Sequence, residues 1–242
     1  MDSAILIRFG YVILLVIISY VIYSRKAIDF LGSLIMVFMG IFIIFSEGIC
    51  WLLIIFLFLL LSLLATSYKK SYKKDRGLYQ GRRTTKNVIS NGIVAFLIVV
   101  LGAFSYLFNV GFGVLLVGGF IGAIATATAD TLASEVGVLS QPRLITTFKK
   151  VEPGTDGAVS ILGTLLAIIG SAVIGFAAFI LGLLSNPLLA LLIAVISGTI
   201  GCFMDSILGA AFERKDIINN EHVNLLGTAT GAFVGILLSV IF

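Results

Sequence analysis

The sequence predicts an all-α integral membrane protein, a bundle of about eight transmembrane helices with both termini extracytoplasmic. Three observations carry that prediction. Of the 242 residues, 60% are hydrophobic and only 12% are charged, a balance found in polytopic membrane proteins. Apolar runs long enough to cross a bilayer, which takes about 20 residues, recur along the chain. The cationic residues crowd into every second connection and avoid the ones between.

On length and hydropathy the segments run over roughly 4–23, 27–45, 48–67, 88–108, 111–136, 158–184, 187–211 and 224–242. The first has no basic leader and no small-residue cleavage site, so it is expected to be a retained helix. Fifteen of the sixteen Lys and Arg residues follow segments one, three, five or seven. They are Arg25 and Lys26, eight cations from Lys69 to Lys86, then Arg143, Lys149 and Lys150, then Arg214 and Lys215. The connections around Glu47, Asn109 and Ser185-Asn186-Pro187 carry none, and Arg8 is the exception. The positive-inside rule places the charged connections in the cytoplasm.

Three regions follow from composition. Residues 1–68 form an apolar three-helix scaffold rich in Ile, Leu and Phe. Its mid-sequence acid, Asp29, sits at a helix start, where a carboxylate suits the dipole and a structural role is expected. Residues 69–87 form a basic cytoplasmic loop, blandly a topology signal in contact with anionic lipid, with Lys73 as one of its solvated charges, and more sharply a phosphate-binding wall to which Arg83 belongs. Residues 88–242 are expected to be the catalytic bundle, with a cytoplasmic loop at 137–157, because Gly, Ala, Ser and Thr become frequent inside the helices and permit close packing.

That last region contains a weak parallel repeat. Gly122 to Asp130-Thr131 and Gly198 to Asp205-Ser206 are Gly-striped helices ending in an acid and a hydroxyl. Each is followed by a loop and a helix opening on Ser160-Ile161-Leu162-Gly163-Thr164 or Asn224-Leu225-Leu226-Gly227-Thr228. Helical spacing puts Gly122, Thr126, Asp130 and Ser134 on one face, and Gly201, Asp205, Gly209 and Glu213 on another. Carboxylates at membrane depth are costly unless they meet a polar cavity, a cation or a metal, so Asp130 and Asp205 are expected to share a site. The bland alternative is a helix-end acid paired with a Lys or Arg.

Other chemistries fall away by counting. Cys50 and Cys202 make neither a disulfide framework nor a thiolate metal site, and one histidine, His222, rules out a histidine-based triad. No soluble-kinase nucleotide loop is present. Arg82 and Arg83 offer phosphate-binding forks, the acids suit Mg²⁺, and the Gly154–Gly157 turn leads into a helix N-terminus that favours an anion. From chemistry alone, a metal-dependent enzyme acting on a lipid phosphate and an ion-coupled transporter remain level.

Gly81-Arg82-Arg83, the run Asp130-Thr131-x-Ala133-Ser134-Glu135-x-Gly137, the loop from Pro142-Arg143 through Thr146-Thr147, Lys149 and Gly154-Thr155-x-Gly157 to Ser160, and Asp205-Ser206-x-Leu208-Gly209-Ala210 tilt the balance. Together they resemble the integral-membrane family typified by plant phytyl-phosphate kinase, itself distantly similar to CTP-dependent polyprenol kinases and CDP-lipid synthases. Leu132 departs from that pattern, where a Trp is common. The resemblance implies a cell-membrane kinase, its active site cytoplasmic, moving the γ-phosphate of CTP or another NTP onto an isoprenyl monophosphate such as phytyl or geranylgeranyl phosphate. A CDP-lipid synthase is the alternative within the class. The expected partners are the isoprenyl phosphate lipid, a nucleotide and the membrane, without nucleic acid and with homo-oligomerisation open.

On this reading Asp130, Glu135 and Asp205 hold Mg²⁺. Arg82, Arg83 and Lys149 neutralise the phosphates, with Asp130, Asp205, Arg83 and Lys149 as the catalytic set. Asn87, Asn91 and Asn224 orient phosphate or ribose oxygens. Thr146, Thr147, Gly154, Thr155, Gly157 and Ser160 contribute to the nucleotide site.

Overall fold

Apolar length alone accounts for most of the architecture. The computed structural model describes residues 3–79, 81–108, 111 and 113–242; Asn109, in the connection after the fourth predicted segment, lies outside them. The described residues form α1 (Ser3–Ser24), α2 (Phe30–Ser46), α3 (Ile49–Ser67), a short α4 (Lys70–Asp75), α5 (Thr85–Leu107), α6 (Gly113–Gly137), α7 (Ile161–Ile180), α8 (Pro187–Ala211) and α9 (Asn220–Ile241). Seven are long and apolar enough to span a membrane. An eighth, α2, is apolar but has 17 residues, short of the ~20 that a span takes. Two elements were not expected: α4, and a two-stranded hairpin in which β1 (Arg143–Leu144) pairs antiparallel with β2 (Ala158–Val159).

Helix starts are set by side chains that satisfy free N–H groups. Asn186 Oδ1 accepts from Leu188 N and Leu189 N at 3.0 and 3.2 Å, with Pro187 at the first helical position of α8. Ser160 caps α7 through Gly163 N at 3.0 Å, and Asn219 caps α9 through His222 N at 3.1 Å. Asp29 has the structural role expected of it, and a double one. Its Oδ1 accepts from Gly32 N at 2.7 Å, capping α2, and its Oδ2 accepts from Thr85 N at 2.8 Å, capping α5. Partial burial acts to raise its pKa, but the bonds from Thr85 and Gly32 outweigh that and hold the carboxyl below its usual value.

Helix α6 is the axis of the bundle, packed against α3, α5, α7, α8 and α9. Small residues allow it. A methyl group on Gly122 would collide with the Gly231 carbonyl oxygen of α9, and one on Gly118 would sit 2.6 Å from the Gly235 carbonyl oxygen. The connections after α1, α4, α6 and α8 all meet at one end of the bundle. There Ile28 bridges to Arg83, Lys73 meets Glu135, and the Gly157 turn packs on Ala210. Residues Ser3 and Phe242 lie toward the opposite end, as does Arg8, whose guanidinium donates to the Phe45 carbonyl at 3.1 Å.

Candidate functional site

The four helices of the predicted repeat, α6 to α9, converge at the loop end on a polar cavity of about 330 Å³. Asp130 comes from the last two turns of α6, Asp205 from α8, Ser160 and Thr164 from the start of α7, and Asn224 from the start of α9. Asn87 and Asn91 add the first turns of α5, and the Gly154–Gly157 turn forms one rim. Gly157 is required there twice over: its φ is +70°, and a Cβ would collide with the backbone of Ala210.

The two aspartates face one another closely enough for their carboxyls to interact, and Asp205 Oδ2 is buried without a hydrogen-bond partner. A buried acceptor left unsatisfied by the protein is what a site leaves for a ligand. Arg83 approaches from the connection between α4 and α5. Its Nε is likewise buried and unpartnered, and its charge feels both Glu135 and Asp130. Burial pulls the guanidinium below its ordinary pKa, against those two carboxylates. Among the described residues, Asp130, Asp156, Asp205 and Glu213 line the cavity with Arg83 as its one basic side chain. The lining is therefore rich in acids, with one cation placed among them to meet an anion.

Five expected site residues lie elsewhere. Glu135 is turned away: it is five residues from Asp130, and five steps of a helix rotate a side chain about 140° from the first. Its Oε2 is 2.7 Å from Lys73 Nζ and its Oε1 accepts from Thr66 Oγ1 at 2.7 Å. It is bound structurally, not a ligand of the cavity, and Lys73 is fully buried instead of solvated. Arg82 and Arg83 diverge because successive residues of an extended segment point to opposite sides. Arg82 donates to the Ile28 carbonyl and lies over the Tyr23 ring at 5.7 Å. Lys149, Thr146 and Thr147 are exposed in the tight turn between Leu144 and Lys150, outside the cavity lining. The backbone of that turn is held by Leu144 N donating to Lys149 O at 2.9 Å.

Asp156, Glu213 and Asn220, not anticipated as site residues, line the mouth. Glu213 was legible, because it shares the helical stripe of Asp205 and Gly209. Among the described residues no three acids, cysteines or histidines are gathered into a ready metal cage. Mg²⁺ does not require one, since it is commonly held by one or two carboxylates plus substrate phosphates and water. The facing pair and the unsatisfied Asp205 oxygen fit that mode of binding.

Comparison with known proteins places this architecture. An uncharacterised membrane protein of Methanocaldococcus jannaschii is 37% identical over 229 residues, covering 94% of this chain and 92% of its own. The chloroplastic protein VTE6 of Arabidopsis thaliana is 31% identical over 80% of this chain and 60% of its own length. Protein PGR of the same plant is 32% identical over 93% of this chain and 86% of its own. No solved structure matches the chain. The family model described as integral membrane protein DUF92 matches residues 13–232, and the chain belongs to that family.

Proposed function

We propose that this protein is a membrane phosphotransferase that moves the γ-phosphate of CTP, or another nucleoside triphosphate, onto an isoprenyl monophosphate, with its site on the cytoplasmic side of the cell membrane. The observation that carries the reading is the juxtaposition of Asp130, Asp205 and Arg83 in one cavity, with Asp205 Oδ2 and Arg83 Nε buried and unpartnered. An anion-seeking cation beside a cation-seeking acid pair is the donor set of a metal–phosphate complex. The motif resemblance to the phytyl-phosphate kinase family supports the same choice.

Asp130 and Asp205 would hold Mg²⁺, which neutralises phosphate oxygens and aligns donor with acceptor when bound. Arg83 would hold an oxygen of the transferring or accepting phosphate, and Asn87 and Asn224 would orient neighbouring oxygens. An oxygen of the acceptor phosphate forms the new bond to the γ-phosphorus as the bond to the β–γ bridging oxygen breaks, releasing CDP and the isoprenyl diphosphate. The acceptor is already ionised near neutral pH, so the site needs no strong general base.

The test is incubation of the purified protein with Mg²⁺, a panel of prenyl phosphates and CTP labelled either at the α- or the γ-phosphorus. Label from the γ-position alone should appear in lipid. Label from the α-position in lipid would make the protein a CDP-lipid synthase, and label in neither would overturn the enzymatic reading.

A further inference from the structure

A second opening leads away from the polar cavity and has the opposite character. It is an apolar groove of about 70 Å³ walled by Met36 and Met39 of α2, Ile55 and Leu59 of α3 and Gly92 of α5, and floored by Ile124 of α6. The two openings share two residues, Arg83 and Asn87. Arg83 thus stands at the junction of a polar compartment and a hydrocarbon-like one, with its Nε unpartnered. A molecule with one anionic head and one hydrocarbon chain matches both compartments at once.

The groove's position fits a chain leaving sideways. Its floor is the central helix, so it faces outward between α2, α3 and α5, where the apolar side chains of Phe38 and Leu60 are exposed. Its walls are short. Met36 to Ile43 on α2 and Leu59 to Leu52 on α3 each cover seven steps, about 10 Å of helix axis. Gly92 keeps the groove open, since a Cβ there would meet only the Met39 Cε, at 3.4 Å. The two methionines supply flexible, polarisable walls that adapt to branched chains.

We propose that this groove holds the head-proximal part of the acceptor's hydrocarbon tail, and that it selects a single-chain lipid phosphate over a diacyl one. The inference rests on the phosphotransferase reading for the identity of the head group. The groove is a single opening walled by α2 and α3, so it offers its apolar contact to one chain. Beyond the first ~10 Å the tail lies in bilayer lipid, so discrimination among longer tails is weak.

The experiment uses the full chain, purified and reconstituted, with geranylgeranyl phosphate carrying a photoreactive diazirine on the tail near its head. Cross-links are expected in the segments around Met36–Met39 and Gly92, competed by unlabelled geranylgeranyl phosphate and not by phosphatidic acid. Gly92→Phe and Leu59→Trp, which fill the groove from different helices, should each lower labelling about tenfold. Each should raise KM for the prenyl phosphate by a like factor, with kcat and KM for CTP within about twofold of the parent. Cross-links on the outer faces of α7 or α9, or labelling unchanged in both variants, would overturn the proposal. Equal competition by phosphatidic acid would make the groove a general lipid site and overturn it too. The phosphotransferase reading fails separately: labelling would then stay in the groove while no γ-phosphate left CTP for any lipid phosphate.

Discussion

Replacing Lys73 by alanine should destabilise the protein more than any other single charge removal in the basic loop. Lys73 Nζ donates to Glu135 Oε2 at 2.7 Å and to the Ala65 carbonyl at 2.9 Å, and the two side chains are 0% and 2% exposed. Truncating the lysine strands a buried carboxylate with Thr66 as its remaining side-chain partner, which costs about 3–5 kcal/mol. At the ~2–4 °C per kcal/mol found for soluble domains of this size, Tm should fall by about 6–20 °C. Unfolding can be followed through the single tryptophan, Trp51, which is buried with its ring centroid 4.4 Å from that of Phe120. The double substitution Lys73→Met with Glu135→Leu removes both charges, so it should be less destabilising than Lys73→Ala alone, by a coupling of up to about 3 kcal/mol. Strict additivity, or a Lys73→Ala protein as stable as the parent, would refute the pairing.

Three further outcomes are expected. Asp130→Asn and Asp205→Asn should each lower turnover by about 10²-fold or more, with the double variant hardly worse, since the two act as one unit. Because neutralising one of two facing carboxyls relieves repulsion, Tm should hold or rise, and a Tm collapse in either single variant would show a structural acid instead. Gly157→Ala forces a side chain into a left-handed conformation against the Ala210 backbone, so it should cost about 1–3 kcal/mol and speed proteolysis of the 137–157 loop; an unchanged digestion pattern would contradict the docking of that turn. Asp29, held below its ordinary carboxylate pKa, contributes stability above that ordinary value and loses it as pH falls through the lower folded one. Asp29→Asn should therefore flatten the acid limb of Tm against pH, and an unaltered limb would show that its caps carry no charge-dependent stability.

The sequence by itself determined the membrane class, most of the helix spans and the end of the bundle where the polar cavity lies. Those properties are local or additive: span length follows from apolar run length, and helix starts from capping side chains such as Asn186 and Ser160. The meeting of Asp130 with Asp205 was legible as well, because i+4 stripes specify faces and costly buried acids need company. Tertiary structure decided which neighbours of these residues face the cavity. Arg82 and Arg83 are adjacent in sequence, yet pairing of this stretch with Ile28 turns one to Tyr23 and the other to the aspartates. Lys73 could not be told from the seven other cations of its loop by composition, since only the fold of α4 against α3 and α6 buries it on Glu135. Lys149 went the other way, because side-chain direction in a turn depends on backbone dihedrals set by long-range hairpin pairing. The identity of a site's residue types is written in sequence, whereas the direction of each side chain is a property of packing.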